Sequence, residues 1–581
     1  MDDYLLQILK PARYIGEEWN ISHKDFNAAE VKFALCFPDL YEVGMSNLGI
    51  RILYGILNQM PQVVCERFFS PAIDMEGLLR SGKLQLFSLE SKKTLREFDL
   101  VGFSLGYELS YTNVLNLLDL GGIPLKSALR DASFPLVIAG GPCVLNPEPM
   151  HEFIDIFVIG EAEEALQEIV GLYKIHAADF KAGKISKEEF LLKFCGIEGV
   201  YAPSLYTVSF DQEGKQKEFK PKHANLKAVV KKRSVKDLNQ SYFPLDWLVP
   251  FIQVVHDRLI LEIMRGCPNQ CRFCQARTLY SPFRIRKTEA VSDLACKLYQ
   301  NTGYEEISLV GLSASDHPQI KEILGNLISL FEGKKVSVSL PSIKPREMVG
   351  ELASLISKIK KTGLTFAPEA ASEKLRKVLN KDFDIPEFLR VLEQAYQAGY
   401  QHLKLYFMIG LPKEEKDDLG SILDFANNAS QLRKKTSGFN AQVNISVNAL
   451  IPKPHTAFQW FGMEGIEQIK EKQGYLRKLN RNKKIKLSFH NAETSFLEGV
   501  IARGDRRLSQ VIESAFRKGA RFDGWQEHFN FARWMEAFQE AGIAPEDFLK
   551  EKSKNELLAW DFIDSGVSKE ALLNDYNKSI A

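Results

Sequence analysis

The sequence predicts an α/β protein: a doubly wound parallel sheet, then a barrel of βα units, then a mainly helical C-terminal region. Short apolar runs alternate with amphipathic helical stretches between Val31 and Ile159. A second alternation starts at Leu259 and continues for about two hundred residues, as a βα barrel would. It stops after Lys483, where helical patterns take over.

A chain of 581 residues is too long for one core. Hydrophobic residues at 45% and charged residues at 26% describe a globular protein. Lys+Arg 75 against Asp+Glu 74 leaves a formal charge of +1, so the chain carries no global electrostatic footprint for nucleic acid. Met1-Asp2-Asp3-Tyr4 lacks a basic stretch followed by an apolar one, and no apolar run is long enough to span a bilayer, so a cytoplasmic protein without membrane contact is expected. Cys36, Cys65, Cys143, Cys195 and Cys296 are dispersed in mostly apolar contexts, which suits buried free thiols in a reducing compartment.

Val31–Phe37 reads as a buried strand ended by Pro38-Asp39, and Asn47 to Asn58 as an amphipathic helix. Further strands are expected at Gln85 to Leu89, Leu100 to Ser104, Pro135 to Ala139 and Ile154 to Ile159. An open sheet of this kind binds ligands at the carboxyl ends of its strands. There the sequence places Asp39, Tyr41 and Gly44, then Ser104, then Gly140 and Gly141, then Gly160 and Glu161. The first domain is assigned to 1–170. Residues 171–249 read as helix, hairpin and linker, and the basic Lys227 to Lys236 run as a solvated connector.

In the barrel, expected at 250–480, strands fall at Leu259–Met264, Glu306–Val310, Val336–Leu340, Leu364–Ala367, His402–Met408 and Gln442–Asn448. The first delivers Arg265-Gly266-Cys267-Pro268-Asn269-Gln270-Cys271-Arg272-Phe273-Cys274, which holds three of the eight cysteines on one loop. Three gathered thiolates can ligate three irons of a [4Fe-4S] cube and leave the fourth open. A structural zinc would need His256 or Cys296, and neither has a usual zinc-ligand spacing. In the 481–581 region Ile485–Phe489 may add a strand, followed by helices and the Arg503-Gly504-Asp505-Arg506-Arg507 turn.

This loop, followed by the basic Phe283-Arg284-Ile285-Arg286 run, resembles the signature of radical S-adenosylmethionine (SAM) enzymes. Most of the chain resembles a family of such proteins with an N-terminal cobalamin-binding domain and an elongator- or methylthiotransferase-like core. It shares their F-A-P-E-A segment (366–370), I-P-K-P-H-T segment (451–456) and R-G-D-R-R turn (503–507). The resemblance implies a Rossmann-like cobalamin domain, a partial (β/α)6 barrel, and a cluster on Cys267, Cys271 and Cys274 whose open iron chelates SAM. One electron then cleaves SAM to a 5'-deoxyadenosyl radical. Phe273 would lie beside adenine, and the backbone of Leu312 and Ser313 would meet the methionine amino group. Ser339 and Ser342 would offer hydroxyls, Glu369 would hold the ribose, Arg376 the carboxylate, and Gly410 would pack near adenine.

Many cobalamin domains carry D-x-H-x-x-G after the first strand, with a histidine that binds cobalt; here that position is Tyr41. Cobalamin is therefore expected with its benzimidazole tail detached and no histidine beneath the cobalt, with Tyr41 or solvent facing it. His455 is the candidate acid or base.

The expected function is reductive SAM cleavage coupled, with cobalamin, to methylation or rearrangement of an unidentified substrate, fed by a reductant such as flavodoxin or ferredoxin. Two alternatives compete. One is radical modification of RNA, methylthiotransferase-like, which the near-neutral charge and the lack of a second cysteine triad disfavour. The other is a non-enzymatic iron-sulfur sensor or electron carrier, which would be indifferent to SAM. A Rossmann domain that has kept its fold and lost its ligand is the bland reading of residues 1–170.

Overall fold

A computed structural model describes residues 2–341, 364–381 and 383–581. The first sheet contains β1 (Val31–Phe37), β2 (Val63–Phe69), β3 (Leu100–Ser104), β4 (Leu136–Gly140), β5 (Ile156–Val158) and β6 (Val200–Tyr201). Their order is β2-β1-β3-β4-β5-β6, parallel except for β6. The order reverses at β1, so the topology itself opens a crevice there. Helices α1 (Leu48–Gln59) and α3 (Ala165–Lys181) pack side by side over one face. Helix α2 (Tyr111–Leu120) contacts a C-terminal helix on the other side.

Strand β2 replaces the strand expected at Gln85 to Leu89, where only Phe87 bridges to Thr94. Glu66 and Arg67 interrupt the apolar pattern of β2, yet the strand is wholly buried. Arg67 is satisfied there by Glu18 at 2.7 Å, from the N-terminal lead-in, and by Glu90 at 2.6 Å. Its guanidinium stays charged, because the two carboxylates outweigh the burial that works against it.

The barrel comes as two parallel sheets. One holds β7 (Leu259–Glu262), β8 (Glu306–Val310) and β9 (Ser337–Ser339). The other holds β10 (Leu364–Glu369), β11 (His402–Ile409), β12 (Gln442–Ala449) and β13 (Ile485–Phe489). The apolar alternation of β11 and β12 faces a helical layer, with Leu405, Phe407, Ile445 and Val447 packed on Phe388 and Leu423. Strand β13 continues this sheet in register with β12, so the stretch expected in the C-terminal region serves the barrel. Ser342 lies outside the described residues. No described helix is long and apolar enough to cross a membrane.

The C-terminal helices α5 (Ala492–Arg503), α6 (Leu508–Arg517) and α7 (Phe531–Ala541) share the core of the first domain. Charged clasps join the three parts. Arg506 binds Glu148 at 2.6 Å and the Tyr201 hydroxyl at 2.8 Å, while Arg503 donates to the carbonyls of Pro452, Gln459, Phe548 and Lys550.

Arg67→Met strands two buried carboxylates, and should cost about 3–5 kcal/mol of stability. The drop is read as a lower melting temperature, and Glu18→Gln with Glu90→Gln in the same chain should recover most of it. An Arg67→Met variant that melts like the wild type would contradict this account.

Candidate metal centre and adjoining cavity

Strand β7 ends in the cysteine loop. Met264 and Arg265 pair antiparallel with Ile285 and Arg284, which turns the chain sharply. Gly266 takes φ 83, and a side chain there would stand 2.8 Å from the carbonyl oxygens of Tyr280 and Pro282, so glycine is required. Cys267, Cys271 and Cys274 are half-buried free thiols.

Arg272, between the second and third cysteines, clasps the helix that follows β10, α4 (Glu373–Leu379). Its backbone N–H donates to the Leu379 carbonyl at 3.0 Å, and Nη1 to those of Lys377 and Val378 at 2.7 and 3.0 Å. Helix ends leave such carbonyls unsatisfied. Asn380, with φ 51, returns a bond to the Gln270 carbonyl at 2.8 Å. Asn269 donates to Cys267 Sγ at 3.2 Å and to Asp316 at 2.8 Å.

Burial pushes the Cys271 thiol up to about 11, and the neighbouring Cys274 and Cys267 add to the shift while Lys381 opposes it. Such thiols gain by meeting a cationic iron centre. Among the described residues no three His, Cys, Asp or Glu side chains are grouped so as to hold a metal ion. The fit to a cluster therefore rests on donor chemistry: three thiols on one half-buried loop.

Phe273 packs on an apolar group that includes Ala370, Leu375, Leu411 and Phe458. Glu369 sits at a register break of β10 with φ 66, and burial raises its carboxyl pKa. A side chain held at positive φ in a buried place marks a constrained site. Arg376 is turned inward, donating to the Ala371 carbonyl at 2.5 Å. Among the described residues the cation paired with Glu369 is instead Lys381, at 3.8 Å, which also acts electrostatically on Cys271 and Cys274. Sequence reading passed over Lys381 because it lies in a loop without a motif.

Ser313 donates to Asp316 at 2.6 Å, and the Ser339 hydroxyl is buried without a hydrogen-bond partner. The Gly410 amide donates to Glu414 at 3.1 Å.

His455 differs from the expectation of an acid or base. It is buried, its Nε2 lies 3.1 Å from the Leu145 carbonyl, and its own carbonyl accepts from Thr278 at 2.9 Å. Burial pushes its imidazole down to about 4, so it is neutral and serves as a rivet between the barrel and the first domain.

A cavity of ≈ 520 Å³ joins this loop to the first sheet. Its deep end is an apolar slot between the sheet and helices α1 and α3, walled by Phe33, Leu35, Ile138, Val158, Ile52 and Leu166. Its mouth is formed by Ser104, Gly106, Gly140, Gly141, Gly160 and Glu161 on one side, and by Met264, Arg265, Gly266, Tyr280 and Leu312 on the other. At Gly160, with φ 106, an added side chain would meet the Arg233 carbonyl oxygen at 2.2 Å.

The first loop departs from expectation, since Asp39, Tyr41 and Gly44 do not line the cavity. The Tyr41 hydroxyl donates to Glu18 at 2.9 Å beneath the loop, Asp39 accepts the Trp525 indole N–H at 3.0 Å, and Gly44 stands against Phe69. Their place is taken by Asn47, Leu48 and Gly49 at the start of α1.

Arg265 crosses the boundary between the two parts. It holds Glu262 with two bonds of 3.0 and 2.9 Å, Glu163 at 2.6 Å and Glu161 at 3.2 Å. Glu161 is also gripped by Arg284 at 2.7 Å. Burial opposes the Glu161 charge, but the two guanidinium groups hold its carboxyl below the usual range.

Residues 261–426 match the Radical SAM superfamily, and residues 49–203 match the family described as Radical SAM proteins, N-terminal. The Methanocaldococcus jannaschii protein named "Uncharacterized protein MJ0966" is 26% identical over 513 residues, 88% of this chain and 97% of that one. The ribosomal protein uS12 methylthiotransferase RimO of Pelotomaculum thermopropionicum is 26% identical over 199 residues, 32% of this chain and 43% of that one. Two solved structures are also similar. The radical SAM methyltransferase TsrM of Kitasatospora setae, with cobalamin and a [4Fe-4S] cluster bound, has a TM-score of 0.45 at 13% identity, over 72% of each chain. The cobalamin-dependent SAM radical enzyme OxsB, with aqua-cobalamin bound, has a TM-score of 0.47 at 14% identity, over 94% of this chain and 79% of that one.

Arg272→Ala removes two side-chain bonds that tie the cysteine loop to α4, each worth about 1 kcal/mol. After anaerobic reconstitution, the variant should lose iron to a chelator at least about fivefold faster than wild type. Equal rates of iron loss would show that the clasp does not serve the loop.

Proposed function

We propose that this chain, a radical SAM enzyme by its match over residues 261–426, methylates or rearranges an unactivated carbon with the help of cobalamin held in the cavity. One observation supports this reading above the others. The cavity lies at the reversal point of the first sheet and opens onto the loop that carries Cys267, Cys271 and Cys274. Bound there, the cluster and SAM supply a carbon radical, and cobalamin supplies a methyl carrier.

The chain's own residues suit these groups. The slot between sheet, α1 and α3 is walled by apolar side chains, and the glycines that line the cavity would let a flat macrocycle approach the backbone. Among the described residues no histidine lines the cavity, and Leu48 and Asn47 stand where Tyr41 was expected. With Arg376 bonded to the Ala371 carbonyl, Lys381 would be the candidate to hold the SAM carboxylate, and Glu369, its ion-pair partner at 3.8 Å, the candidate for the ribose. Arg265 and its carboxylates keep the two halves of the site in register. Electrons would come from a one-electron donor such as flavodoxin or ferredoxin.

Methylthio transfer is less well supported. In the first domain Cys36, Cys65 and Cys143 are each buried, with thiols pushed up by burial, as structural cysteines are.

The proposal is tested with hydroxocobalamin and SAM under strong reductant. It requires 5'-deoxyadenosine from the reconstituted enzyme and none from a Cys267→Ala, Cys271→Ala, Cys274→Ala variant; S-adenosylhomocysteine in addition would mark methyl transfer. Leu166→Trp, which fills the slot, should abolish hydroxocobalamin retention while iron and sulfide content persist. Retention of hydroxocobalamin by Leu166→Trp, or a spectrum of histidine-ligated cobalt, would refute the cavity as the cobalamin site.

A further inference from the structure

The cysteines of the loop do not stand in like surroundings. At Cys274 the backbone N–H groups of Ala276 and Arg277, in the first turn of the helix Gln275–Leu279, donate to the sulfur. Donors of that kind come with the fold, and no substitution removes them. At Cys267 the donor is a side chain. Asn269 Nδ2 lies 3.2 Å from Cys267 Sγ and 2.8 Å from Asp316 Oδ2. The amide thus spends one hydrogen on the sulfur and one on the carboxylate, and this network fixes which end of the amide faces the cysteine.

Asp316 is itself held in place. Its Oδ2 accepts from the Ser313 hydroxyl at 2.6 Å, and its backbone N–H donates to the Ser313 carbonyl at 2.8 Å. Ala314–Asp316 form one helical turn after β8, just beyond Gly311 and Leu312, which line the cavity. The aim of the Asn269 amide is therefore set by a second strand end as well as by the cysteine loop. Both Asn269 and Asp316 are half-buried, so water competes less for these bonds than it would at an open surface.

This placement has an electrostatic consequence. With iron on the sulfur, an N–H aimed at a thiolate ligand favours the cluster state that carries more negative charge, which is the reduced one. The amide also bridges the sulfur to the Asp316 carboxylate, whose negative charge acts the other way. Remove the amide, and the sulfur loses a donor while the carboxylate stays. We infer that Asn269, aimed by Asp316, raises the reduction potential of the cluster through its bond to Cys267. The step it tunes is electron entry: the cluster gains one electron and the donor loses one, with no bond made or broken. This rests on Cys267, Cys271 and Cys274 holding the cluster, and it is independent of cobalamin and of the substrate.

The test uses the full-length protein, reconstituted anaerobically with iron and sulfide, without SAM or cobalamin and with Ti(III) citrate as reductant. The EPR signal of the reduced cluster is followed against the solution potential. Asn269→Leu keeps the bulk and removes the N–H. Its ratio of reduced to oxidised cluster at a fixed potential should fall about fivefold, the worth of about one hydrogen bond, which is a shift of about 40 mV to lower potential for a one-electron couple. Circular dichroism and iron content check folding and loading. Pulsed EPR of wild type grown with amide-¹⁵N asparagine should show a ¹⁵N coupling to the reduced cluster, and Asn269→Leu should lack it; a residue that merely shapes the loop produces no such coupling. If Asn269→Leu does not hold a cluster, the wild-type coupling decides. The inference is overturned if a loaded Asn269→Leu keeps the wild-type potential, or if wild type shows no ¹⁵N coupling. A wild type without a reducible cluster would refute the metal centre itself, and this inference with it.

Discussion

The arrangement depends on one buried ring of charge. Arg265 lies two residues before Cys267, within a ring of Glu161, Glu163 and Glu262, and together with Arg284, which also grips Glu161, it ties the first domain to the strand that carries the cysteine loop. A buried charge of this kind is held only while its partners are in place, and removing it would leave the carboxylates exposed to one another.

The same chemistry recurs at the other joints. Arg272 satisfies the carbonyls that end α4, Arg503 gathers four carbonyls from the barrel and the C-terminal region, and Arg51 donates to Met45 and Leu248 while stacking 4.2 Å from Trp247. Carbonyl groups at chain breaks need donors when they are buried. A planar fork meets several at once, which a lysine ammonium does with less directional control. The domains are thus joined by bonds that specify angle as well as distance, and a cavity shared between them keeps a defined shape.

Some of this was legible in the sequence. The cysteine loop was, because three thiols gathered within eight positions point to a metal, and the loop resembles the radical SAM signature. The βα alternation was too, because helix and strand periods differ. Strand β2 was obscured by Glu66-Arg67, whose burial depends on Ser91 for the carboxylate and on Glu18 and Glu90 for the guanidinium, all distant in sequence. The Tyr41 loop matched a motif by position, but a hydrogen bond to Glu18 draws its side chain away from the cavity. His455 stood in a conspicuous segment, and burial made it structural. Lys381 was missed for the opposite reason: it is an ordinary charged residue in a loop, and only three-dimensional neighbours give it a role. Local pattern fixes elements; charge pairing across hundreds of residues decides which of their ends meet.

The most direct test of the central claim, that the interdomain cavity holds cobalamin against the cysteine loop, is hydrogen–deuterium exchange of the reconstituted protein with and without hydroxocobalamin. The account predicts added protection in both halves of the wall: residues 47–53, 102–106, 140–142 and 158–166 of the first domain, together with 262–266 and 279–280 of the barrel. Protection confined to one half, or appearing away from these segments, would contradict it.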